Sequence, residues 1–379
     1  MKGFVRRLID CKDYYCNIIS EAKWLNSKKW AVGDLFFDYK RQVTVTEQSG
    51  NDLTDYQVLI ELDSTNFDFS HANEDGSDIR FYDGSNLYPY WIEKWDSVNQ
   101  EARVWVKVPS IPASSSTSFY MYYGNPNVVS ASSPELTFVR VIDGCILALP
   151  MDEGSGDTVY DKSGNNNDGT IYGGTTWTDG KFGKALSFDG VDDYVEVSDS
   201  ESLRPNYITI LCWFRLDGMQ GEIAKELVNK VGPSGNFGYG IELKPQIRYR
   251  ISTDGSTLTG AEGSTPEYGK WYFIAMTFDG SYIRGYLNGE LDAKEALSGT
   301  IYPSTANLRI GSYEYDTTCY YFYGIIDEVC IYNRALSEEE IQDLYNYYGY
   351  NTENYPGKTL VRKRVEPEPT ATIGTEETP

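Results

Sequence analysis

Between residues 207 and 336 the chain alternates apolar and polar side chains with period two, punctuated by turn residues. In YITILCWFRLDG (207–218), Ile208, Ile210, Cys212 and Phe214 fall on one face and Thr209, Leu211, Trp213 and Arg215 on the other. Apolar groups thus occupy both sides, and the pattern predicts a strand in the middle of its sheet. YIRGYLNGELDAK (282–294) sets Asn288-Gly289 between two β-prone runs; a two-residue type I′ hairpin needs positive φ at both central positions, which Asn and Gly tolerate best. KWYFIAMTFDG (270–280) and YGIIDEVCIYNRAL (323–336) repeat this texture. The period then changes. Ser337 is placed to cap a helix whose Glu340 reaches back to the Ser337 amide, Leu336 and Ile341 form a hydrophobic staple, and Ile341, Leu344 and Tyr345 make one apolar stripe. The expectation is a multi-stranded sandwich closed by a short helix over 337–346.

A second β-rich unit precedes it. RQVTVTEQSGNDLTDYQVLIELDS (41–64) alternates at Val43 and Val45, breaks at Gly50-Asn51-Asp52, and alternates again at Tyr56, Val58, Ile60 and Leu62. Residues 77–97 and 101–126 continue the pattern, with Pro-rich and Ser-rich turns where pairing must stop. Residues 1–36 mix basic, apolar and aromatic side chains and predict one or two short helices; they hold no uninterrupted apolar run and read as neither a signal-peptide core nor a membrane span. The Pro-, Thr- and Glu-rich tail (356–379) is expected to be flexible or extended unless a partner orders it.

Four segments carry a family resemblance: MDEGSGDTVYDKSGNNNDGTI (151–171), GKFGKALSFDGVDDYVEVSDS (180–200), WYFIAMTFDG with GYLNGE, and GIIDEVCIYNRALSEEEI. In this order they resemble the laminin-G-like, concanavalin-A-like jelly roll of the pentraxin-related subgroup. DGSDIRFYD, YPYWIEKWD and VWVKVPSIPASSSTSFYMYYGN resemble an uncharacterised β-domain family common ahead of such modules on archaeal and bacterial surface proteins. The fold class is accordingly all-β: two β-sandwich domains, the second a concanavalin-A-like jelly roll with a short C-terminal helix. The domains fall at 37–135 and 140–348, between an N-terminal extension, 1–36, and a C-terminal tail, 349–379.

Composition narrows the function. At 379 residues with 40% hydrophobic and 15% aromatic content, the chain can bury two cores. Its net charge of -23 argues against nucleic-acid or anionic-membrane partners and favours cations, a solubilising surface or a salty environment. Six cysteines without a C-x-x-C pair, among them Cys11, Cys16, Cys212 and Cys330, read as free or buried thiols rather than a disulfide scaffold. His71 is the one histidine, so zinc is not expected. No G-x-S-x-G, H-E-x-x-H or E-x-D-x-E pattern occurs, IELDS (60–64) being the nearest to the last, and the chain is not expected to be an enzyme.

Two chemistries remain. Calcium takes six to eight oxygens, which acidic Gly-rich loops supply. DKSGNNND (161–168) offers Asp161, Asn165 and Asp168. The family resemblance implies neighbouring first and last strands, with Asp152 and Glu153 near Asp327 and Glu328, and a calcium ion at that rim. Alternation puts Asp327 in phase with Val329 and Ile331, its carboxylate pointing inward. FDGVDDY (188–194) offers a second acidic loop of Asp189, Asp192 and Asp193, or simply a solvated turn. For ligand binding, the chain carries 32 Tyr, densest in GSYEYDTTCYYFYG (311–324). Tyr313, Tyr315, Asp316, Tyr320 and Tyr321 suit a stacking and hydrogen-bonding rim for sugars, with core or domain packing as the competing role; Trp177, in a polar loop, is a further exposed candidate. Trp213 and Trp271 carry the same ambiguity. The favoured reading is a non-catalytic adhesion or recognition protein on a cell or virion surface, binding a glycan or glycoprotein through a calcium-stabilised jelly roll. The alternative is a structural subunit of an archaeal virion, filament or surface layer that self-associates through its termini, with a glycoside-active enzyme third.

Overall fold

The structure is a computed structural model whose described residues are 29–218, 224–233, 235–315 and 318–379, without the side chains of 314–319. The chain forms two units, the first from residues up to Val139 together with Arg362–Pro379, the second from Arg140–Val361.

The first unit has a five-stranded sheet ordered Thr370–Glu377, Tyr39–Thr46, Ser116–Tyr123, Arg80–Tyr82, Leu87–Tyr88, and a three-stranded sheet of Leu53–Asp63, Glu101–Ile111 and Tyr90–Asp96. Alternation sends Val43, Val45, Tyr56, Val58, Ile60 and Leu62 into one core, as the period-two pattern requires. The tail expected to be flexible or extended is extended and hydrogen-bonded: Val43 pairs with Ile373 and Thr46 with Thr370. Ala371 and Ile373 rest on the core; their spacing of two supplies an apolar face that the Pro- and Glu-rich flanks conceal. Helices were expected over 1–36, yet its described part is a two-stranded ribbon, Trp30–Val32 with Leu35–Phe37, turning at Gly33 with φ +59°. The rest of that segment, with Cys11 and Cys16, lies outside the described residues.

The second unit is a sandwich of two eight-stranded sheets. In the first, Ile208–Leu216 lies between Tyr323–Tyr332 and Trp271–Phe278, the central position its two apolar faces predict. Cys145–Leu149 runs antiparallel to Tyr323–Tyr332. The second sheet includes Lys225–Gly232, Asn236–Lys244, Gln246–Ile251 and Thr259–Glu262, side by side at one end. Ile208, Ile210, Cys212 and Phe214 fill the space between the sheets with Ile241, Leu243, Ile247 and Tyr249. Asn288 and Gly289 make the tight turn at φ 52° and 82°.

Glu338–Asn346 forms the helix, with Ser337 and Glu340 in a reciprocal capping box. Leu336, Ile341 and Leu344 bury against Leu211, Trp213, Phe273 and Tyr332 on the outer face of the first sheet, so Trp213 is a packing residue, and Trp271 is partly buried beside it. Cys145 and Cys330 share this outer cluster while Cys212 faces the inner core, and all three are free buried thiols.

Register corrects one expectation. Leu211 pairs with Cys330 but Trp213 with Asp327, which leaves an extra residue in the Tyr323–Tyr332 strand, where Glu328 takes φ 54°. This β-bulge reverses the phase. Asp327 therefore shares Trp213's outer side, opposite to Val329 and Ile331, although it is fully buried.

Candidate functional site

The outer face of the second sheet is built differently from that of the first. In Asn236–Lys244 and Gln246–Ile251 the inward positions are Ile241, Leu243, Ile247, Tyr249 and Ile251. Alternation turns Glu242, Arg248 and Arg250 outward. Cross-strand pairing sets Glu226 opposite Glu242 and Glu242 opposite Arg248. These groups, with Asn229 and Lys244, line a cleft of about 250 Å³. Tyr313 and Tyr320 form part of its wall, their rings stacked 5.7 Å apart at 23°. Two backbone hydrogen bonds join them, Tyr320 N to Tyr313 O at 3.0 Å and Tyr313 N to Tyr320 O at 3.3 Å. Asn229 Nδ2 donates to Ser312 O at 2.5 Å and ties that loop to the sheet.

The electrostatics centre on the two glutamates. Arg248 Nη1 lies 2.7 Å from Glu242 Oε1 and Arg250 Nη1 3.3 Å from it, while Arg248 Nε reaches Glu262 at 3.2 Å. Glu226 is buried and hydrogen-bonded to Glu242. Burial, then the charge of Glu242, pushes its carboxyl well above the usual glutamate range. Burial thus favours the neutral form of Glu226. Neither glutamate stands out in the linear sequence. The legible signal was the alternation of 241–251, with Ile, Leu and Tyr inward and Glu, Lys and Arg outward.

Among the residues singled out from sequence, Tyr313 and Tyr320 meet in the cleft wall. Asp316 and the side chain of Tyr315 lie outside the described residues. Tyr321 is partly buried. Trp177 packs against the inter-sheet core and donates from Nε1 to Gly156 O at 2.9 Å, so it is no exposed platform. In the first unit, His71 stacks on Tyr39 at 4.1 Å and its Nδ1 sits 3.0 Å from Glu376, a packing role.

The acidic candidates separate into distinct groups. Asp161 spends both oxygens on its own loop and strand: Oδ1 accepts from Ala148 N and Ser163 N, both at 2.9 Å, and Oδ2 from Ser163 Oγ at 2.8 Å and Asn167 N at 2.9 Å. Asp168 Oδ1 accepts from Asp161 N at 2.8 Å, and Asn165 Nδ2 donates to Ile146 O at 3.2 Å. With its carboxylate satisfied by four donors, Asp161 does not fit a metal ligand. Glu153 accepts from Tyr160 N at 2.9 Å.

Asp327 and Asp152 gather instead around the Asp179–Lys184 turn. Asp327 Oδ2 accepts from Lys181 N at 2.8 Å and Phe182 N at 3.0 Å, and Asp152 Oδ1 from Lys184 N at 2.7 Å. A Cβ at residue 180 would stand 2.5 Å from Asp327 Oδ2, so only Gly180 permits this approach. Asp327 Oδ1 is buried with no hydrogen-bond partner among the described residues. Burial, with the charge of Asp152 adding to it, pushes the Asp327 carboxyl up to about 8 against the pull of the two amides. A buried oxygen of this kind fits a hard cation. Asp189, Asp192 and Asp193 form the other candidate, with ligand oxygens within 4.8 Å of one another. Burial and the two neighbouring carboxylates raise the pKa of Asp193.

Residues 189–342 match the family described as the concanavalin A-like lectin/glucanases superfamily, and residues 75–146 match a domain of unknown function, DUF2341. The chain thus contains a concanavalin A-like domain, preceded by one of the DUF2341 family. No curated protein sequence matches it. Among solved structures, the binding domain of Paraclostridial Mosquitocidal Protein 1 is similar at 21% identity and TM-score 0.44, over 54% of this chain and 52% of that one. Domain 4 of AbnA, an extracellular GH43 arabinanase from Geobacillus stearothermophilus solved with arabinotriose, aligns at 21% identity and TM-score 0.42, over 54% of this chain and 98% of that one. The receptor binding domain of botulinum neurotoxin C/D mosaic serotype aligns at 15% identity and TM-score 0.44, over 54% and 51%. The chain spans about half the length of these two toxin domains. Among the described residues no helix is long and apolar enough to cross a membrane.

Proposed function

We propose that this is a non-catalytic recognition protein of a cell or virion surface, whose concanavalin A-like domain binds a glycan or glycoprotein in the cleft beside Tyr313 and Tyr320. The observation that carries this reading is the pairing of two stacked tyrosines with a floor of hydrogen-bonding side chains in a cleft of about 250 Å³. Sugar rings present apolar C–H faces to aromatic rings and hydroxyls to carboxyl, amide and guanidinium groups. The Glu226–Glu242 pair does not suit glycosidase chemistry. Its carboxyls hydrogen-bond to each other, whereas a nucleophile and proton donor flanking a glycosidic bond stand roughly 5 Å or more apart.

The reading includes a structural calcium ion, for which Asp327 with Asp152, and the Asp189, Asp192 and Asp193 loop, supply suitable oxygens. When bound, the ion would compensate the Asp327 carboxylate, whose charged form burial disfavours. The competing reading, a structural subunit joined through its termini, draws less support because Thr370–Glu377 already pairs with Tyr39–Thr46 of the same chain. A glycan array probed with and without chelator tests the proposal. Retention that disappears in Y313A and Y320A supports it, and retention unchanged in both variants sinks it.

A further inference from the structure

We propose that the cleft selects a negatively charged sugar, bearing a carboxylate or a sulfate ester, whose anionic group meets Arg250 and Lys244 while its ring lies against Tyr313 and Tyr320. This rests on the cleft being the binding site. Among the described residues, five charged side chains line it: Glu226, Glu242, Lys244, Arg248 and Arg250. Glu242 and Glu262 draw on Arg248, and Glu242 also meets Arg250, so the cations of the cleft are engaged to different degrees. Arg248 is committed, lying 2.7 Å from Glu242 and 3.2 Å from Glu262. Arg250 is less engaged, its contact with Glu242 stretching to 3.3 Å. Lys244 is exposed and makes no ion pair among the described residues.

Lys244 and Arg250 lie in a chain of net charge -23, with 33 Lys and Arg against 56 Asp and Glu. The overall field repels anions, so any anion retained must be held by local donors. The guanidinium fork matches carboxylate and sulfate oxygens, and the Lys244 ammonium adds a mobile point charge. A neutral sugar in the same place would strip water from Arg250 and Lys244 and return no counter-charge. Selection against neutral sugars therefore follows from the cleft's own desolvation cost.

The test uses the full chain on an array of neutral, carboxylated and sulfated glycans, with K244Q and R250Q beside wild type and melting curves to establish folding. The expected result is retention of carboxylated or sulfated glycans over neutral ones, weakening as salt rises, with a loss of about tenfold in R250Q and a smaller one in K244Q. The two anionic arms identify which group is taken. K244Q alters an exposed side chain, so its result stands even if R250Q disturbs the sheet. Retention of neutral glycans that depends on Tyr313 and Tyr320 but not on Lys244 or Arg250 would overturn the anionic class and leave the cleft as the site. Retention of nothing would overturn both.

Discussion

The two sheets of the second unit share one core but present opposite outer faces. The first turns Leu211, Trp213, Phe273, Cys330 and Tyr332 outward, and a capped helix covers them. The second turns out Glu226, Asn229, Glu242, Arg248 and Arg250, and these stay at a cleft. An apolar outer face gains by being covered, so the helix serves stability. A charged outer face would pay heavily for complete burial, so it keeps access to solvent. Under the proposed function, folding and recognition fall to different faces of one sandwich.

That division can be broken by experiment. The largest effect is expected from I341A, which empties a fully buried position under the helix; it should cost about 2–5 kcal/mol in urea unfolding while leaving glycan affinity unchanged. A parallel loss of affinity would show that the faces are coupled. D161A should follow at about 2–4 kcal/mol, because four donors lose their acceptor, and added calcium should not restore it. Calcium should raise the melting temperature of wild type and D161A alike but not of D327N; an equal rise in D327N would move the ion to the Asp189 loop. Y313A should lower glycan affinity by roughly tenfold with no change in melting temperature, since one stacking platform is worth about 1–2 kcal/mol.

The smallest effect concerns Glu226. Its raised pKa means that the folded state binds the extra proton, so the stability it contributes is present below the ordinary glutamate range and is lost as pH rises through the folded value. E226Q keeps a donor toward Glu242 without the charge. It should match wild type in acid and become the more stable of the two as pH rises, by unfolding across a pH series. Parallel stability profiles would show that Glu226 is not held protonated.

Local chemistry made much of this legible. The faces of 207–218, the Asn288-Gly289 turn and the Ser337–Glu340 capping box are each fixed by residues near one another in sequence. What depends on register was not legible. The extra residue at Glu328 reverses Asp327, and no periodicity announces a bulge. Tyr313 and Tyr320 were visible as a cluster, but Glu226 meets Glu242 only because two strands pair in one register. The tail's extended course was expected but its pairing with Tyr39–Thr46 was not, because its Ala371 and Ile373 face is short and flanked by Pro, Glu and Thr.

The route of the chain through its first unit sets an order of assembly. On a ribosome, Thr370–Glu377 emerges only after all of Arg140–Val361, so the growing polypeptide holds Tyr39–Thr46 with one open edge throughout that interval. The later-made sandwich can close while the earlier-made one still waits for its final strand. A nascent chain stalled before residue 370 would leave that edge ready to pair with a neighbour on the same messenger.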